Sequence, residues 1–221
     1  MFFISNPSES AIKNHFIQLA RHVGALTFGS YVLKSGRISP YFFNAGLFYQ
    51  GSALRELGQL YAHTWVRHQL GDRPIFGPAY KGLPIATTTA IALADLGIET
   101  TVTFNRKEVK DHGEGGQLIG ASLYNQNVVM LDDVITAGTA FREAQRLITS
   151  AGGHIGSVII ALDRCERGQG SQSAIHEIQT QNIQVYSIIT LFDIIDYLKQ
   201  QAEHDKADKL CQYQQQYQSK N

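Results

Sequence analysis

Two helical patterns and a hairpin pattern occupy the beginning of the chain. Apolar residues recur at helical intervals over 12–23 and over 54–65, and this spacing predicts two amphipathic helices. Between them, the extended stretches 27–33 and 38–47 are joined by the turn-forming residues 34–37. Two extended stretches around a short polar turn predict a β-hairpin.

Polar residues mark where the two helices should begin. Asn6 is the predicted N-cap of the first helix, because Pro7 follows at the first helical position and Glu9 at the third. Ser52 is the predicted cap of the second helix, which we expect to close at Gly71.

From Pro74 onwards, short apolar runs alternate with helical patterns. The predicted strands are 74–77, 99–104, 127–131, 156–162 and 185–190. The predicted helices are 83–96 and 139–150. Buried apolar strands that alternate with helices form a parallel sheet covered on both faces. The sequence therefore predicts an α/β fold with a core of 74–202, a smaller lobe of 1–73 that caps it, and a C-terminal helix or tail of 203–221.

Composition narrows the class of protein. The 221 residues include 19 basic and 19 acidic residues, so the formal net charge is zero. Nucleic-acid and membrane partners favour an excess of Lys and Arg, and we therefore expect neither. The opening segment has no basic signal-peptide region, and no apolar run reaches the roughly 18 residues that span a bilayer. Two cysteines, Cys165 and Cys211, are too few for a disulfide framework. We expect a cytoplasmic protein with reduced thiols.

The strongest chemical signal lies at 128–140, VVMLDDVITAGTA. An apolar strand ends in the adjacent carboxylates of Asp132 and Asp133, and a loop of small residues then enters a helix. Backbone N–H groups at a helix N-terminus bind phosphate, whereas paired carboxylates suit ribose hydroxyls or a metal held through the substrate. The segment therefore predicts a ribose 5-phosphate site. The alternative is a solvent-exposed helix start.

A second signal is the charged, glycine-rich segment 105–116, NRKEVKDHGEGG, between two predicted strands. Such a loop can be a solvent-exposed hairpin tip. It can also be a mobile cationic lid that closes over a pyrophosphate group. The histidines outside this segment show no metal-ligand spacing with acids or thiols.

Both segments resemble those of a known family. Residues 128–140 resemble the signature with which type I phosphoribosyltransferases bind 5-phosphoribosyl 1-diphosphate (PRPP), and 105–116 are similar to the catalytic loop of the orotate phosphoribosyltransferases. Three further segments resemble ligand-binding parts of that family: a base-pocket wall at 34–44, a pyrophosphate loop at 77–82 and an orotate-carboxylate loop at 162–168. The resemblance extends over roughly residues 24–198. It implies a parallel-sheet core with an N-terminal hood lobe that contributes to the base pocket.

The resemblance also implies the activity and its residues. It implies transfer of the phosphoribosyl group of PRPP to orotate, in a homodimer whose lid reaches the partner's site, with Mg²⁺ as cofactor held mainly through the substrate. The implied catalytic residues are Arg106, Lys107, Lys110, His112, Asp132 and Asp133. The implied PRPP contacts are those six and Lys34, Tyr80, Lys81, Val134, Ile135, Thr136, Ala137, Gly138, Thr139 and Ala140. The implied orotate contacts are Phe42, Phe43, Thr136 and Arg164.

Two details and two alternatives complete the prediction. The family carries a non-proline cis peptide in the pyrophosphate loop, so we expect one between Ala79 and Tyr80. Cys165 stands where Gln is more usual in the family, and we interpret it as a neutral variation that could add thiol reactivity near the site. A phosphoribosyltransferase for another base would need neither the Arg164 loop nor the Phe42-Phe43 segment. A PRPP-sensing regulator that binds nucleic acid would need a basic surface.

Overall fold

The computed structural model describes residues 8–110, 116–168, 170 and 172–219, and within these ranges it leaves out the side chains of 107–110 and 116. The strands are β1 (Leu26–Val32), β2 (Ile38–Phe43), β3 (Ile75–Gly77), β4 (Val102–Lys110), β5 (Gly116–Gly120), β6 (Asn127–Asp132), β7 (His154–Asp163) and β8 (Gln184–Thr190). The helices are α1 (Glu9–His22), α2 (Gly51–Arg67), α3 (Gly82–Asp95), α4 (Thr139–Ser150), α5 (Ala174–Gln179), α6 (Leu191–Gln200) and α7 (His204–Tyr217), with a short 3₁₀ turn at Ala45–Leu47.

A central sheet of six strands has the order β5-β4-β3-β6-β7-β8. Strand β3 pairs in parallel with β4 and β6, and β6-β7 and β7-β8 are also parallel. The predicted α/β fold with a parallel sheet is therefore confirmed. Strand β5 is antiparallel to β4, because these two strands form a hairpin around the charged segment.

The alternating side chains of β6 explain why its central residues, 128–131, are all apolar. Val129 and Leu131 belong to the core cluster on one face of the sheet, and Val128 and Met130 belong to the cluster on the other face. A strand covered on both faces cannot place a polar side chain on either without burying it. Each fully buried side chain of this size contributes about 1.5–3 kcal/mol relative to exposure.

The N-terminal elements share their core with the sheet. Strands β1 and β2 form the predicted antiparallel hairpin, with Leu26 opposite Phe43. Phe16 of α1 and Trp65 of α2 are fully buried in the same cluster as the sheet residue Leu131. The hairpin is therefore held against the sheet by side chains from both flanking helices.

The predicted ends of the first two helices are wrong. Ser8, rather than Asn6, caps α1, because Ser8 is extended and its Oγ accepts a hydrogen bond from the Ala11 amide at 3.2 Å. Asn6 itself lies outside the described residues. Helix α2 begins at Gly51, so Ser52 lies inside the first turn and provides no cap. The same helix ends at Arg67, and Gly71 instead occupies a left-handed position (φ 67°) in the following turn.

The C-terminal region forms the helix α7 where the sequence predicted a helix or tail. Its buried side chains are Ala207, Leu210 and Tyr213. They pack on α6 and on strand β2 of the hairpin. The chain's last helix is thereby attached to the N-terminal hairpin. Among the described residues, none of the helices has the length and apolarity needed to cross a membrane.

Candidate active site

The carboxyl ends of three neighbouring parallel strands bring the predicted segments together. Strand β6 lies between β3 and β7 in the sheet. The loop 77–82 follows β3, the loop 132–138 follows β6, and the loop 163–168 follows β7. Ligands of open parallel sheets bind at this edge. The topology therefore gathers three separately recognised segments at one site.

The adjacent carboxylates at the end of β6 are both buried, at 7% exposure for Asp132 and 5% for Asp133. Backbone amides hold them, since Asp133 N donates to Asp132 Oδ1 and Val134 N donates to Asp133 Oδ1, each at 2.9 Å. Lys81 forms an ion pair with Asp133 (Nζ–Oδ2 2.6 Å). Burial, followed by the charge of Asp133, raises the pKa of Asp132 to about 7. Asp132 therefore accepts a proton more easily than an ordinary carboxyl does.

The loop after the acid pair leads directly into α4. Gly138 occupies the N-cap position in a left-handed conformation (φ 68°), which glycine adopts without steric cost. Thr136, Ala137, Thr139 and Ala140 are exposed. Because glycine supplies no capping side chain, no side chain of the N-cap residue occupies the first-turn N–H groups of α4 at this exposed loop. This arrangement has the features of a phosphate site at a helix N-terminus.

The loop after β3 contains the predicted cis peptide bond between Ala79 and Tyr80, which is confirmed. The Ala79 amide donates to Asn105 Oδ1 on β4 at 2.8 Å. Gly82 lets the loop approach β6 closely, because a Cβ atom there would lie 2.9 Å from the Leu131 carbonyl oxygen and 2.4 Å from Pro78 Cδ. The neighbouring Tyr80 side chain is 66% exposed. This loop therefore presents Tyr80 and Lys81 beside the acid pair.

The loop after β7 holds a buried guanidinium. Arg164 is 9% exposed, and its guanidinium carbon lies 4.4 Å from the ring centroid of Tyr41. Its Nε and Nη2 both contact Glu166 Oε1, at 2.9 Å and 2.8 Å, and Nη2 also donates to Ser39 Oγ at 3.3 Å. Tyr41 and Ser39 belong to the hairpin, so Arg164 joins the edge of the sheet to the N-terminal lobe.

Cys165 lies in an environment that disfavours the thiolate form. Burial, followed by the nearby charge of Asp163, raises its pKa to about 12. The thiolate is the nucleophilic form, and this environment suppresses it. The residue instead has a local structural setting: its amide donates to Asp163 Oδ1 at 2.7 Å, and its backbone is left-handed (φ 53°). This environment opposes the suggested thiol reactivity.

The hairpin places its two adjacent phenylalanines on opposite faces. Phe42 is 41% exposed and stacks on Tyr31 at 5.5 Å between ring centroids. Phe43 is buried and packs against Phe16 at 6.1 Å. The Phe43 side chain therefore belongs to the core. Lys34 is exposed in the turn of the same hairpin.

Part of the predicted lid falls in the described hairpin. Arg106 is half-buried on β4. Lys107 and Lys110 lie on the backbone of the same strand, but their side chains are outside the described set. His112 lies outside the described residues altogether. The structure thus places the base of the predicted lid beside the loop 77–82, through the bond between Ala79 and Asn105.

Four residues in contact with the site were not singled out from the sequence. Tyr61 donates its hydroxyl to the Asp132 carbonyl oxygen at 2.7 Å, and Asn105 holds the Ala79 amide. Glu166 pairs with Arg164, and Tyr213 of α7 donates to Glu166 Oε2 at 3.1 Å. Asn105 and Glu166 lie within segments recognised from the sequence. Tyr61 and Tyr213 give no sequence signal beyond their helical spacing, because their partners are distant in the chain.

The fold and the site define a phosphoribosyltransferase, and comparisons with known proteins agree. The family model described as the phosphoribosyl transferase domain matches residues 62–209. The chain is 59% identical to the orotate phosphoribosyltransferase of Legionella pneumophila, over 93% of this chain and 97% of that protein. It is 54% identical to the one of Proteus mirabilis, over 85% of this chain and 88% of that protein. A crystal structure of orotate phosphoribosyltransferase from Francisella tularensis superimposes with a TM-score of 0.84 at 38% identity, covering 93% of this chain and all (100%) of that one. The chain belongs to the orotate phosphoribosyltransferase family.

Proposed function

We propose that the chain transfers the 5-phosphoribosyl group of PRPP to orotate, which gives orotidine 5′-phosphate and pyrophosphate in pyrimidine biosynthesis. A ring nitrogen of orotate forms the new bond to the anomeric carbon and loses its hydrogen as a proton. The bond from that carbon to the pyrophosphate oxygen breaks, and its electron pair leaves with pyrophosphate. The observation that carries this assignment is the buried Arg164 guanidinium at the same sheet edge as the acid pair and the helix N-terminus of α4. A guanidinium fork recognises a planar carboxylate, the group that distinguishes orotate from uracil.

PRPP is proposed to bind along the loops that follow β3 and β6. The N–H groups of Thr136–Ala140 would receive the 5-phosphate, and the carboxylates of Asp132 and Asp133 would accept hydrogen bonds from the ribose hydroxyls. Lys81 is paired with Asp133 in this structure, and we propose that it turns towards a phosphate group when PRPP is bound. Tyr80 and Lys34, both exposed, would add contacts from the two sides of the site.

Orotate is proposed to lie between the hairpin and the loop 163–168. The Phe42 ring would cover the base, and Thr136 would contact it from the phosphate loop. Arg164 would donate to the carboxylate. Because the Phe43 side chain is buried in the core, its contribution to the pocket would come from its backbone.

The lid is proposed to stabilise the departing pyrophosphate. Arg106, Lys107, Lys110 and His112 would place positive charge where negative charge develops as the anomeric bond breaks. Lid closure would also exclude water, which would otherwise hydrolyse PRPP.

Magnesium is proposed as the cofactor, and the acid pair fits it. Among the described residues, no group of three or more His, Cys, Asp or Glu side chains is arranged to hold a metal ion. Mg²⁺ is commonly bound by one or two carboxylates together with substrate phosphates and water. Asp132 and Asp133 would therefore contact the ion or its water shell while PRPP oxygens supply most of the ligands. When bound, the ion would neutralise charge on the pyrophosphate.

The enzyme is further proposed to be a cytoplasmic homodimer in which each lid serves the partner's site. The N-terminal lobe of 1–73 is proposed to act as the hood of the core 74–202. Support comes from the hairpin contacts of Arg164, which attach the hood to the base pocket.

A spectrophotometric assay of orotate consumption tests the reaction. We expect turnover that needs both PRPP and Mg²⁺, with uracil and adenine used poorly under the same conditions. Equal rates with uracil and orotate would contradict the role of Arg164. Turnover of adenine in place of orotate would instead favour a phosphoribosyltransferase for another base.

A further inference from the structure

Arg164 is held in place by a carboxylate that two other residues share. Glu166 offers Oε1 to Arg164, and its Oε2 contacts Arg37 Nη1 at 3.3 Å and accepts from the Tyr213 hydroxyl at 3.1 Å. The Glu166 side chain is only 9% exposed. Two guanidinium groups and a single carboxylate leave one formal positive charge in excess. An incoming substrate carboxylate would neutralise that charge.

Helix α7 contacts this cluster at two of its residues, Tyr213 and Tyr217. The Tyr213 ring packs edge-on against Tyr41, with centroids 6.3 Å apart and planes at 88°, and Tyr41 in turn covers the face of Arg164. One turn later, the Tyr217 carbonyl oxygen accepts from the Arg167 amide at 2.9 Å. The last helix thus contacts the guanidinium's π partner, its carboxylate partner and the backbone of its loop.

We propose that Tyr213 and Glu166 are positioning residues for Arg164, so that the C-terminal helix helps to determine selectivity for the orotate carboxylate. The inference rests on the proposed function. A guanidinium without fixed partners samples several rotamers and must lose that freedom when it binds a carboxylate. Glu166, oriented by Tyr213 and Arg37, fixes the fork before orotate arrives. A residue that acts in this way affects orotate binding and leaves PRPP binding unchanged.

The test compares two conservative variants on α7. Tyr213→Phe removes the hydroxyl that orients Glu166, and Tyr217→Phe is the matched control, because it removes a hydroxyl from the same helix and keeps the ring that stacks on Arg37. We expect Tyr213→Phe to raise the KM for orotate about three- to tenfold, part of the effect of a lost hydrogen bond to a charged group. The kcat and the KM for PRPP should stay within about twofold. Tyr217→Phe should match the wild type.

The ratio of kcat/KM for orotate to that for uracil distinguishes a positioning role of Tyr213 from a structural one. A purely structural defect would leave this ratio unchanged. Uracil has no carboxylate, so its low rate should be unaffected by Tyr213→Phe, and the preference for orotate over uracil should fall by the same factor as kcat/KM for orotate. Glu166→Gln should raise the KM for orotate by at least as much. The double variant should be no worse than Glu166→Gln alone, because both changes act through one contact.

Several results would overturn the inference. An equal rise in KM for orotate and PRPP, or a lower melting temperature with an unchanged orotate KM, would make Tyr213 a structural residue. A lower KM in Glu166→Gln would show that Glu166 competes with orotate for Arg164 rather than orienting it. If Tyr213→Phe does not fold, Glu166→Gln decides alone. Failure of the wild type to consume orotate would refute the proposed function itself, a result distinct from all of these.

Discussion

Replacement of Arg164 by Lys keeps the positive charge and removes the two-nitrogen geometry, so it separates the contributions of charge and geometry to carboxylate recognition. The guanidinium uses Nε and Nη2 to hold Glu166 and Ser39 and stacks on Tyr41 at 4.4 Å. An ammonium keeps the positive charge but has a single nitrogen. That nitrogen cannot hold Glu166 and bind a planar substrate carboxylate bidentately at the same time.

The expected magnitude follows from the number of hydrogen bonds lost. Lys would retain at most one of two bonds to the orotate carboxylate, and a bond to a charged group contributes roughly 1.5–3 kcal/mol. Since about 1.4 kcal/mol corresponds to a tenfold change, the KM for orotate should rise by roughly 10- to 150-fold. The KM for PRPP should change little, because the proposed phosphate and ribose contacts lie on the loops after β3 and β6, away from Arg164.

Initial rates of orotate consumption, measured over a range of each substrate, give both constants. Arg167→Lys is the matched control, because Arg167 lies in the same loop but is exposed. An orotate KM within about threefold of the wild type in Arg164→Lys would refute the proposal that the Arg164 guanidinium binds the orotate carboxylate through two hydrogen bonds. A comparable effect in Arg167→Lys would show that the loop, and not the Arg164 contact, is responsible.

Three further predictions concern the lid and the acid pair. Lys110→Ala should lower kcat by roughly 10²–10³-fold with a smaller effect on PRPP binding, because the proposed contact of Lys110 is with the charge of the departing pyrophosphate. Steady-state kinetics measure both constants, and a kcat within a fewfold of wild type would contradict this role. Mixed dimers of Lys110→Ala subunits with subunits inactivated at Asp132 and Asp133 should regain activity, whereas verified heterodimers without activity would mean that each lid serves its own subunit. Asp132 has a folded-state pKa of about 7, above its ordinary value of 3.8, so the folded state holds an extra proton between these pH values and stability should fall as pH rises through this window. The melting temperature of the wild type relative to Asp132→Asn should therefore decrease from about pH 5 to about pH 8, and a constant difference would refute the raised pKa.

The elements of the core could be predicted because their signals are local. The run at 128–131 is apolar throughout, as expected of a strand covered on both faces. The loops that follow β3, β6 and β7 were recognised as short segments, and the parallel topology then placed them at one edge. Position at the carboxyl edge thus follows from the parallel direction of the strands, which the alternation of strands and helices already implied.

Other features depend on choices that the sequence leaves open. Asn6 and Ser8 are both good caps, and only the backbone conformation decides that Ser8 accepts from the helix. Strand alternation requires Phe42 and Phe43 to face opposite sides, but it does not say which side is the core. The contribution of Tyr213 could not be predicted, because its partner Glu166 is 47 residues away in sequence.

The bridge between Gln218 and the loop 163–168 matters for anyone who extends the polypeptide. Gln218 forms an isolated antiparallel bridge with Glu166, so the last described residues of α7's extension, 218 and 219, lie beside the Arg164 loop. A purification tag or a fused reporter placed there would be tethered next to Arg164, the proposed partner of the orotate carboxylate. Kinetic comparisons between differently tagged preparations should therefore use the orotate KM as the parameter most sensitive to the tag.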